Sequence, residues 1–241
     1  MSDPIFSESR LAEIYDLIDP DRSDLDPYVA MVEANAARSV LDVGCGTGTF
    51  ACLLASRGID VVGLDPAGAS LDVARGKPHA QKVRWIQGDA RVLPRLQVDL
   101  ATMTANVVQA FLTDEDWFAT LQCVHAALGP GGLLVFETRD PARQAWLEWT
   151  PERTRSVTDV PAVGSVEAWC ELTDVSGPLV SFRWTYVFEA DGAVLTSDST
   201  LRFRGRENIE ESVHASGYVI SDVRDAPDRP GRELVFVARA R

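Results

Sequence analysis

The stretch SVLDVGCGTGTF, residues 39–50, decides the fold, because an apolar strand pattern runs directly into a glycine-rich loop. Gly44, Gly46 and Gly48 allow the backbone to turn sharply, and they let a ligand lie against the main chain near the start of the next helix. The spacing is Gly-x-Gly-x-Gly, and Thr49 follows where the dinucleotide fingerprint Gly-x-Gly-x-x-Gly would continue. The glycine spacing alone is a weak indication, so the neighbouring segments have to identify the ligand.

On both sides of this loop the chain alternates between apolar strands and amphipathic helices. The hydrophobic spacing predicts helices at 10–18, 25–37, 50–58, 67–76 and 113–128, and strands at 39–43, 59–65, 82–89, 98–104 and 133–138. Apolar strands that alternate with helices are typical of a parallel sheet covered on both faces.

The pattern changes after the fifth strand. Residues 153–204 show alternating segments with an Asp191-Gly192 hairpin turn, which predicts an antiparallel sheet. We therefore expect an α/β fold, in which a Rossmann-like, mostly parallel seven-stranded sheet has helices on both faces and carries an inserted antiparallel β-sheet. The expected divisions are a helical N-terminal cap (1–37), a cofactor-binding core (38–150), an antiparallel substrate or lid insertion (151–205), and a C-terminal helix with the closing strands (206–241).

Composition and charge narrow the class of protein. The chain has 241 residues, of which 46% are hydrophobic and 24% charged, as in ordinary globular proteins. Its net charge of −13 disfavours nucleic acid as a partner. We find neither a membrane-spanning run nor a secretory signal, and the four cysteines form no Cys-x-x-Cys pair, so we expect a cytoplasmic protein with free thiols, no membrane association and no metal. A homo-oligomer is left open.

Acidic residues follow the second and third predicted strands. Asp65 ends the second strand, and a carboxylate there can accept hydrogen bonds from ribose hydroxyls, each worth roughly 1.5–3 kcal/mol. Asp89 ends the third strand and is placed to face an adenine edge. Since ligands bind at the carboxyl ends of strands in open α/β sheets, the loop and both acids should converge on one crevice. The alternative is that these are ordinary turn glycines and capping aspartates.

Five segments in order, DVGCGTG, VVGLD, GDA, VDLATM and LGPGGLLVFET, resemble the motifs of class I S-adenosylmethionine-dependent methyltransferases over residues 38–138. The resemblance implies S-adenosylmethionine as cofactor, with Asp42 and the loop glycines on its methionine part, Asp65 on the ribose, Asp89 and Ala90 beside the adenine, and Thr104 next to the cofactor. Cys45 and Pro66 belong to the same segments. For Cys45 we expect a small loop residue rather than a catalytic thiol.

A narrower resemblance concerns the acceptor side of the site, where the substrate that receives the methyl group would bind. The segments TANVVQ (104–109) and ETRD (137–140) are similar to those of the glycine and sarcosine N-methyltransferase group, which grips a substrate carboxylate with an Asn and an Arg. This resemblance implies that Asn106 and Arg139 hold a carboxylate-bearing acceptor. In this chain Thr-Ala replaces the group's Leu-Gly, and Glu-Thr replaces its Asp-His.

The N-terminal stretch resembles the helical cap of small-molecule methyltransferases, which closes over the cofactor with tyrosines and an arginine. That resemblance places Tyr15 in the cofactor site, with Arg22 and Tyr28 nearby; the alternatives are a partly buried Tyr15 and a solvent-facing Arg22. Trp184 and Tyr186 share one face of a predicted strand, and they either line a pocket or form the core of the insertion.

The candidate chemistry is methyl transfer to a small molecule. A neutral amine needs no general base, whereas a hydroxyl generally does. None of the three histidines falls at a predicted strand end, which favours N-methylation over O-methylation. Glu137 ends the fifth strand and is the best alternative base, unless it is a structural carboxylate paired with Arg139. An O-methyltransferase and a non-catalytic cofactor-binding module stay open, and the glycine spacing argues against a nicotinamide-dependent oxidoreductase.

Overall fold

A computed structural model describes residues 2–241, which form two β-sheets and the helices that cover them. The strands are β1 (Ser39–Val43), β2 (Asp60–Asp65), β3 (Val83–Gln87), β4 (Val98–Met103), β5 (Leu128–Arg139), β6 (Ser156–Val160), β7 (Gly164–Ser176), β8 (Leu179–Phe188), β9 (Val194–Arg202), β10 (Tyr218–Asp225) and β11 (Glu233–Ala240). The α-helices are α1 (Pro4–Ser7), α2 (Ser9–Ile18), α3 (Asp26–Ala34), α4 (Thr49–Ser56), α5 (Gly68–Arg75), α6 (Asp114–Ala127), α7 (Pro151–Thr154) and α8 (Arg206–Ala215).

The larger sheet has seven strands in the order β10-β11-β5-β4-β1-β2-β3. The five strands from β1 to β5 pair in parallel, whereas β11 is antiparallel to β5 and β10 is antiparallel to β11. The predicted mostly parallel seven-stranded sheet is therefore confirmed. Its strand order reverses direction at β1, which has β2 on one side and β4 on the other, and such a switch point is where open α/β sheets bind ligands.

Both faces of this sheet are buried, because adjacent residues of its strands feed two different cores. Val40 packs with Tyr28 and Val32 of α3 on one face, while Leu41 packs with Trp117 and other residues of α6 on the opposite face. Side chains alternate across a strand, so a strand that is covered on both sides must be apolar throughout. The helices on both faces that the sequence predicted are confirmed.

The inserted sheet has four antiparallel strands in the order β6-β7-β8-β9, as expected. One of its faces packs against the N-terminal helices, where Ile5, Leu11 and Ile14 contact Tyr186 and Phe188. The Ile5 N–H also donates to Ser197 Oγ at 2.9 Å. Helices α1 and α2 therefore bridge the inserted sheet and the core of the protein.

Several element boundaries differ from the predictions for local reasons. The helix expected over 25–37 starts with a 3-10 turn and ends at Ala34, because Ala36 takes φ +50° as the chain turns towards β1. The fifth strand begins at Leu128 rather than at 133, and helix α1 was not predicted. In residues 2–241, no helix is both long enough and apolar enough to cross a membrane.

Candidate functional site

The ends of three parallel strands meet at one edge of the sheet. The Gly44 and Cys45 N–H groups donate to the Leu64 carbonyl at 2.8 and 3.1 Å, which ties the glycine loop to the end of β2. The Gly88 N–H donates to the Asp65 carbonyl at 3.0 Å, which ties the end of β3 to β2 as well. The three chain segments singled out in the sequence are therefore neighbours at this edge of the sheet.

Asp65 is buried at the end of β2 and organises the glycine loop. Its Oδ2 accepts the Gly46 N–H at 2.8 Å, and its Oδ1 accepts the Ala67 N–H at 2.7 Å. Burial raises the pKa of Asp65, and both backbone donors act in the opposite direction. Each carboxylate oxygen has a second acceptor position, so Asp65 can still accept hydrogen bonds from a diol such as a ribose.

The glycine loop is open at its centre and closed at its end. Gly46 has φ +53°, and a Cβ added there would meet no atom within 4 Å. At Gly48, by contrast, an added Cβ would lie 2.5 Å from the Trp85 ring and 2.7 Å from the Cβ of Ala74. The main chain at Gly46 therefore faces free space, as required for a ligand that lies against it.

Asp42 has an unsatisfied acceptor atom beside this loop. The side chain is 1% exposed, and its Oδ1 accepts the Thr102 hydroxyl at 3.0 Å. Its Oδ2 is buried and has no hydrogen-bond partner among residues 2–241. Burial raises the pKa of Asp42 to about 7. A lone buried acceptor is costly, so this atom fits a ligand that brings a donor such as an ammonium group.

The other residues predicted on the cofactor side lie around the same edge. Asp89 caps a 3-10 turn by accepting the Arg91 N–H at 2.8 Å, and its carboxylate is half-exposed; Ala90 is buried beside it. Pro66 is exposed. Burial raises the pKa of the Cys45 thiol, which keeps it protonated and agrees with a small loop residue rather than a nucleophile.

The loop after β4 carries residues that the sequence predicted to bind the methyl acceptor. Thr104 is buried, and both Ala105 and Asn106 have left-handed backbone angles, with φ +54° and +60°. This turn aims the Asn106 N–H at Glu137, where it donates to Oε1 at 3.2 Å. The structure therefore brings Asn106, from the loop after β4, together with Glu137 of β5.

Glu137 is buried at the carboxyl end of β5. The hydroxyl of Tyr28, from α3, donates to its other oxygen in a short hydrogen bond. Burial raises the pKa of Glu137, and the Tyr28 bond partly offsets this effect. The side chain is therefore a carboxyl group with two donors, held away from bulk water.

Glu233, at the start of β11, is the central partner on the acceptor side. It is 3% exposed and accepts Asn106 Nδ2 at 3.2 Å and Arg229 Nη1 at 2.9 Å. Arg139 Nε lies 3.4 Å from the same carboxylate, because Glu233 is directly opposite Arg139 in the β5–β11 pairing. Arg139 thus pairs with Glu233, and the ion-paired Glu137–Arg139 alternative is not what the structure shows.

Arg139 has a second partner, Gln109, and three polar atoms in the segments that carry these residues are unsatisfied. Its Nη1 donates to Gln109 Oε1 at 2.9 Å, and burial lowers its pKa. Asn106 Oδ1, Gln109 Nε2 and Thr138 Oγ1 are buried with no partner among residues 2–241. Such atoms are rare in folded proteins, so each of them is suited to a ligand that brings the matching donor or acceptor.

The N-terminal helices are anchored to the glycine loop by Asp16. Its Oδ1 accepts the hydroxyls of Thr47 and Thr49 at 2.9 and 3.1 Å, and its Oδ2 accepts Lys77 Nζ at 2.5 Å. The preceding residue, Tyr15, is half-buried and packs against Phe6 with a centroid distance of 5.6 Å. Helix α2 therefore lies next to the loop, as the predicted cap requires.

Aromatic side chains lie both beside Arg139 and on the inserted sheet. The Trp149 ring lies 4.6 Å from Phe182, and the Arg139 guanidinium is 5.9 Å from the Trp149 centroid. Trp184 and Tyr186 stack at 6.0 Å on the same face of β8. Trp184 and Tyr186 pack with Tyr15 in the core between the inserted sheet and the N-terminal helices, whereas Trp149 lies beside Arg139 at the end of β5.

The sequence singled out the strand-end acids together with Asn106, Glu137 and Arg139, but it missed three of their partners in the structure. Glu233 lies more than ninety positions from Arg139 along the chain, Asp16 lies within the predicted helix 10–18, and Arg229 sits in a turn. A closing antiparallel strand beside β5 was the one indication that could have placed Glu233. In residues 2–241 we find no group of three or more His, Cys, Asp or Glu side chains that could hold a metal ion.

Comparisons with known proteins agree on one enzyme class. A family model described as "Methyltransferase domain" matches residues 40–132. The cypemycin N-terminal methyltransferase of Streptomyces sp. is 34% identical over 146 residues, which is 59% of this chain and 60% of that protein. The malonyl-[acyl-carrier protein] O-methyltransferase of Serratia marcescens is 30% identical over 187 residues, which is 75% of this chain and 68% of that protein. The chain spans about two thirds or less of the length of these relatives.

Solved structures share the fold over nearly the whole chain. An S-adenosylmethionine-dependent methyltransferase from Clostridium acetobutylicum has a TM-score of 0.75 at 18% identity, covering 97% of this chain and 98% of its own. An amino pentose methyltransferase from Micromonospora echinaspora, solved with bound S-adenosylmethionine, has a TM-score of 0.70 at 24% identity, covering 92% and 93%. At these identities the likeness establishes the fold alone.

Proposed function

We propose that this chain, which belongs to the S-adenosylmethionine-dependent methyltransferases, methylates an amine of a small molecule. Its cofactor is S-adenosylmethionine, whose sulfonium supplies an electrophilic methyl group when bound. The similarity to the narrower glycine and sarcosine N-methyltransferase group is not supported by these comparisons, so the acceptor has to be argued from the site itself.

The residues present fit this cofactor. We propose that Asp42 Oδ2 accepts a hydrogen bond from its ammonium group and that the main chain at Gly46 lies along it. Asp65 would accept from the ribose hydroxyls, and Asp89 with Ala90 would border the adenine. The remaining predicted contacts are Gly44, Cys45, Gly48, Pro66, Thr104 and Tyr15.

The observation that carries the choice of an amine is the buried Glu137 carboxyl. Because burial raises its pKa, Glu137 is better suited than an ordinary glutamate to accept a proton from an ammonium group. Asn106 Oδ1 is a further buried acceptor without a partner, and an amine carries the matching donors. Positioning a neutral amine for in-line attack would then supply most of the acceleration.

A substrate carboxylate held by Asn106 and Arg139 is the alternative that the sequence suggested. Glu233 already accepts a hydrogen bond from Asn106 and forms an ion pair with Arg139, so an incoming carboxylate would have to displace it. Removing one partner of a buried ion pair lowers the stability of a protein by several kcal/mol, because the other charge stays buried without compensation. The displacement of Glu233 is therefore unfavourable. The arrangement therefore supports an amine acceptor.

The relatives support the same choice without identifying the acceptor. Both the cypemycin N-terminal methyltransferase and the amino pentose methyltransferase are named for amine-bearing substrates. The Serratia marcescens relative is named as an O-methyltransferase, and it aligns with more of this chain. O-methylation of a carboxyl group is therefore the second candidate, and the two can be separated directly.

The test is methyl transfer to matched acceptors. The wild-type protein is incubated with S-adenosylmethionine and with amino sugars, small peptides, or hydroxyl and carboxyl analogues of the same compounds, and S-adenosylhomocysteine is measured. We expect turnover only with the amines, and Glu137→Gln should lower kcat by about 10²-fold. As a control, Glu167→Gln alters a carboxylate that pairs with Arg155 on the surface of the inserted sheet. Turnover with the carboxyl analogues alone would contradict the proposal.

A further inference from the structure

A second recess lies next to the acceptor side, outside the cofactor crevice. It has a volume of about 560 Å³, and the chain segment 143–148, Arg153 and the turn 230–232 line it. A smaller recess of about 250 Å³ shares Pro230 and Arg232 with it and is also lined by Arg229. The two recesses adjoin at Pro230 and Arg232, in the turn between β10 and β11, and together they are called the groove below.

The groove is cationic in an acidic protein. Its larger part is lined by Arg143, Arg153 and Arg232 against a single acid, Glu148. The smaller part adds Arg229 and one further acid. The chain as a whole carries a net charge of −13, so this concentration of guanidinium groups departs from the rest of the molecule.

Most of the guanidinium donors in the groove are free to bind a ligand. Glu148 is shared between Arg153 Nη1 at 3.3 Å and Arg232 Nη1 at 3.1 Å, while each guanidinium has five N–H donors. Within residues 2–241, the Arg143 side chain has no ion-pair partner. Gly231 has φ +71°, and an added Cβ would lie 3.6 Å from Arg143 Nη2, so the turn allows this side chain to approach closely.

The groove is connected to the acceptor residues. Arg229 lines its smaller part and also donates to Glu233, the carboxylate that binds Asn106 and Arg139. The Asp140 N–H donates to the Arg232 carbonyl at 2.9 Å, which fixes the turn against the end of β5. The groove and the acceptor residues are therefore held together by Arg229 and by this turn.

From this arrangement we propose that the groove binds a phosphate or diphosphate group carried by the methyl acceptor. Guanidinium groups match phosphate oxygens in charge and in bidentate geometry, and three of them around one recess suit a group with more than one negative charge. This inference rests on the proposed function only in stating that the methyl acceptor carries the phosphate group. The anion site itself can be tested without turnover.

The probe is inorganic pyrophosphate, titrated into the full chain by calorimetry with S-adenosylhomocysteine already present, so that the cofactor crevice is filled. Arg143→Gln and Arg232→Gln should each weaken pyrophosphate binding by about tenfold or more. The control is Arg183→Gln, which removes an arginine that pairs with Asp198 on the inserted sheet, outside the groove. It should bind pyrophosphate like the wild type.

Two results would overturn the inference: no pyrophosphate binding by the wild type at millimolar concentration, or equal binding by all three variants and the wild type. The S-adenosylhomocysteine titration that precedes each experiment separates this failure from that of the proposed function. Cofactor binding without pyrophosphate binding contradicts the anion site alone, whereas absent cofactor binding contradicts the methyltransferase function.

Discussion

The Tyr28 hydroxyl donates a hydrogen bond to the Glu137 carboxylate, and both side chains are buried, with 3% and 6% exposure. Tyr28 comes from a helix on one face of the sheet, and Glu137 comes from the end of its fifth strand. Burial raises the pKa of the carboxyl group that we propose as the partner of the methyl acceptor, and a phenol from the N-terminal region lowers it again in part.

Replacing Tyr28 with Phe should move the pH profile of the enzyme. The Tyr28 bond lowers the pKa of Glu137, so its loss raises that pKa further. If the ionised Glu137 is the active form, the pH at which kcat/KM falls on the acidic side of the profile should rise by about one unit. We also expect a loss of about 1–3 kcal/mol in the free energy of unfolding, because a buried acceptor loses its donor.

Tyr218→Phe is the matched control for this variant. Tyr218 is also a buried tyrosine, but its hydroxyl donates to the Leu121 carbonyl on the opposite face of the sheet. This variant should lose a comparable amount of stability and keep the wild-type pH profile. An unchanged profile in both variants would remove Tyr28 from the acceptor site.

Asp42 should make cofactor binding release protons near neutral pH. Its pKa is about 7 in the ligand-free protein, and a bound ammonium group would favour the ionised carboxylate. At pH 6.5, S-adenosylhomocysteine binding should therefore release more protons from the wild type than from Asp42→Asn. Calorimetry in two buffers of different ionisation enthalpy measures this difference, and equal proton release would contradict the contact.

The Asp42 carboxyl should also make the free energy of unfolding of the ligand-free protein depend on pH. A carboxyl whose folded pKa lies above its unfolded value stabilises the fold most when both states are protonated. The free energy of unfolding should therefore fall as the pH rises from about 4 to about 7, and the Asp42 contribution should be constant above that range. Chemical denaturation of Asp42→Asn across this range should lack that component.

Asp65→Ala should weaken S-adenosylmethionine binding by about 10- to 150-fold, since it removes charge-assisted hydrogen bonds to the ribose and the anchor of the Gly46 N–H. Asp99→Ala is the control, because Asp99 also accepts backbone N–H groups, those of Arg38 and Ser39, but at the start of β1. Cofactor affinity is read by calorimetry. Equal affinities in the two variants would exclude Asp65 from the site.

Asp16→Ala should detach the N-terminal helices from the glycine loop. The variant loses the acceptor for Thr47, Thr49 and Lys77, so amides of α2 should exchange hydrogen faster and the cofactor should bind less tightly. Glu33→Ala breaks an exposed pair with Arg57 and should change neither property. Hydrogen exchange with and without S-adenosylhomocysteine gives both results.

The sequence predicted most of the larger sheet because its information is local. The apolar runs of β1 to β5 and the turns between them are continuous in the chain, and a parallel sheet places all their ends at one edge. The positions of Asp42, Asp65 and Glu137 follow from that rule alone. The roles of these residues stay predictions that the variants above can test.

The acceptor network could not be predicted in the same way, because its contacts depend on pairing over long distances. Glu233 faces Arg139 only because β11 returns antiparallel to β5 in one particular register. Ala105 and Asn106 adopt left-handed angles that alanine disfavours, so no local preference indicates the turn that aims the Asn106 N–H at Glu137. Tertiary packing determines both features.

The bridging position of α1 and α2 has a consequence for exchanging acceptor preference between related enzymes. The inserted sheet is continuous in sequence, yet one of its faces is completed by Ile5, Leu11 and Ile14 from the opposite end of the chain. A chimaera that transplants the insertion alone would leave these side chains against a foreign surface. A donor fragment for such a swap must therefore be bipartite, with the first eighteen residues moving together with the sheet.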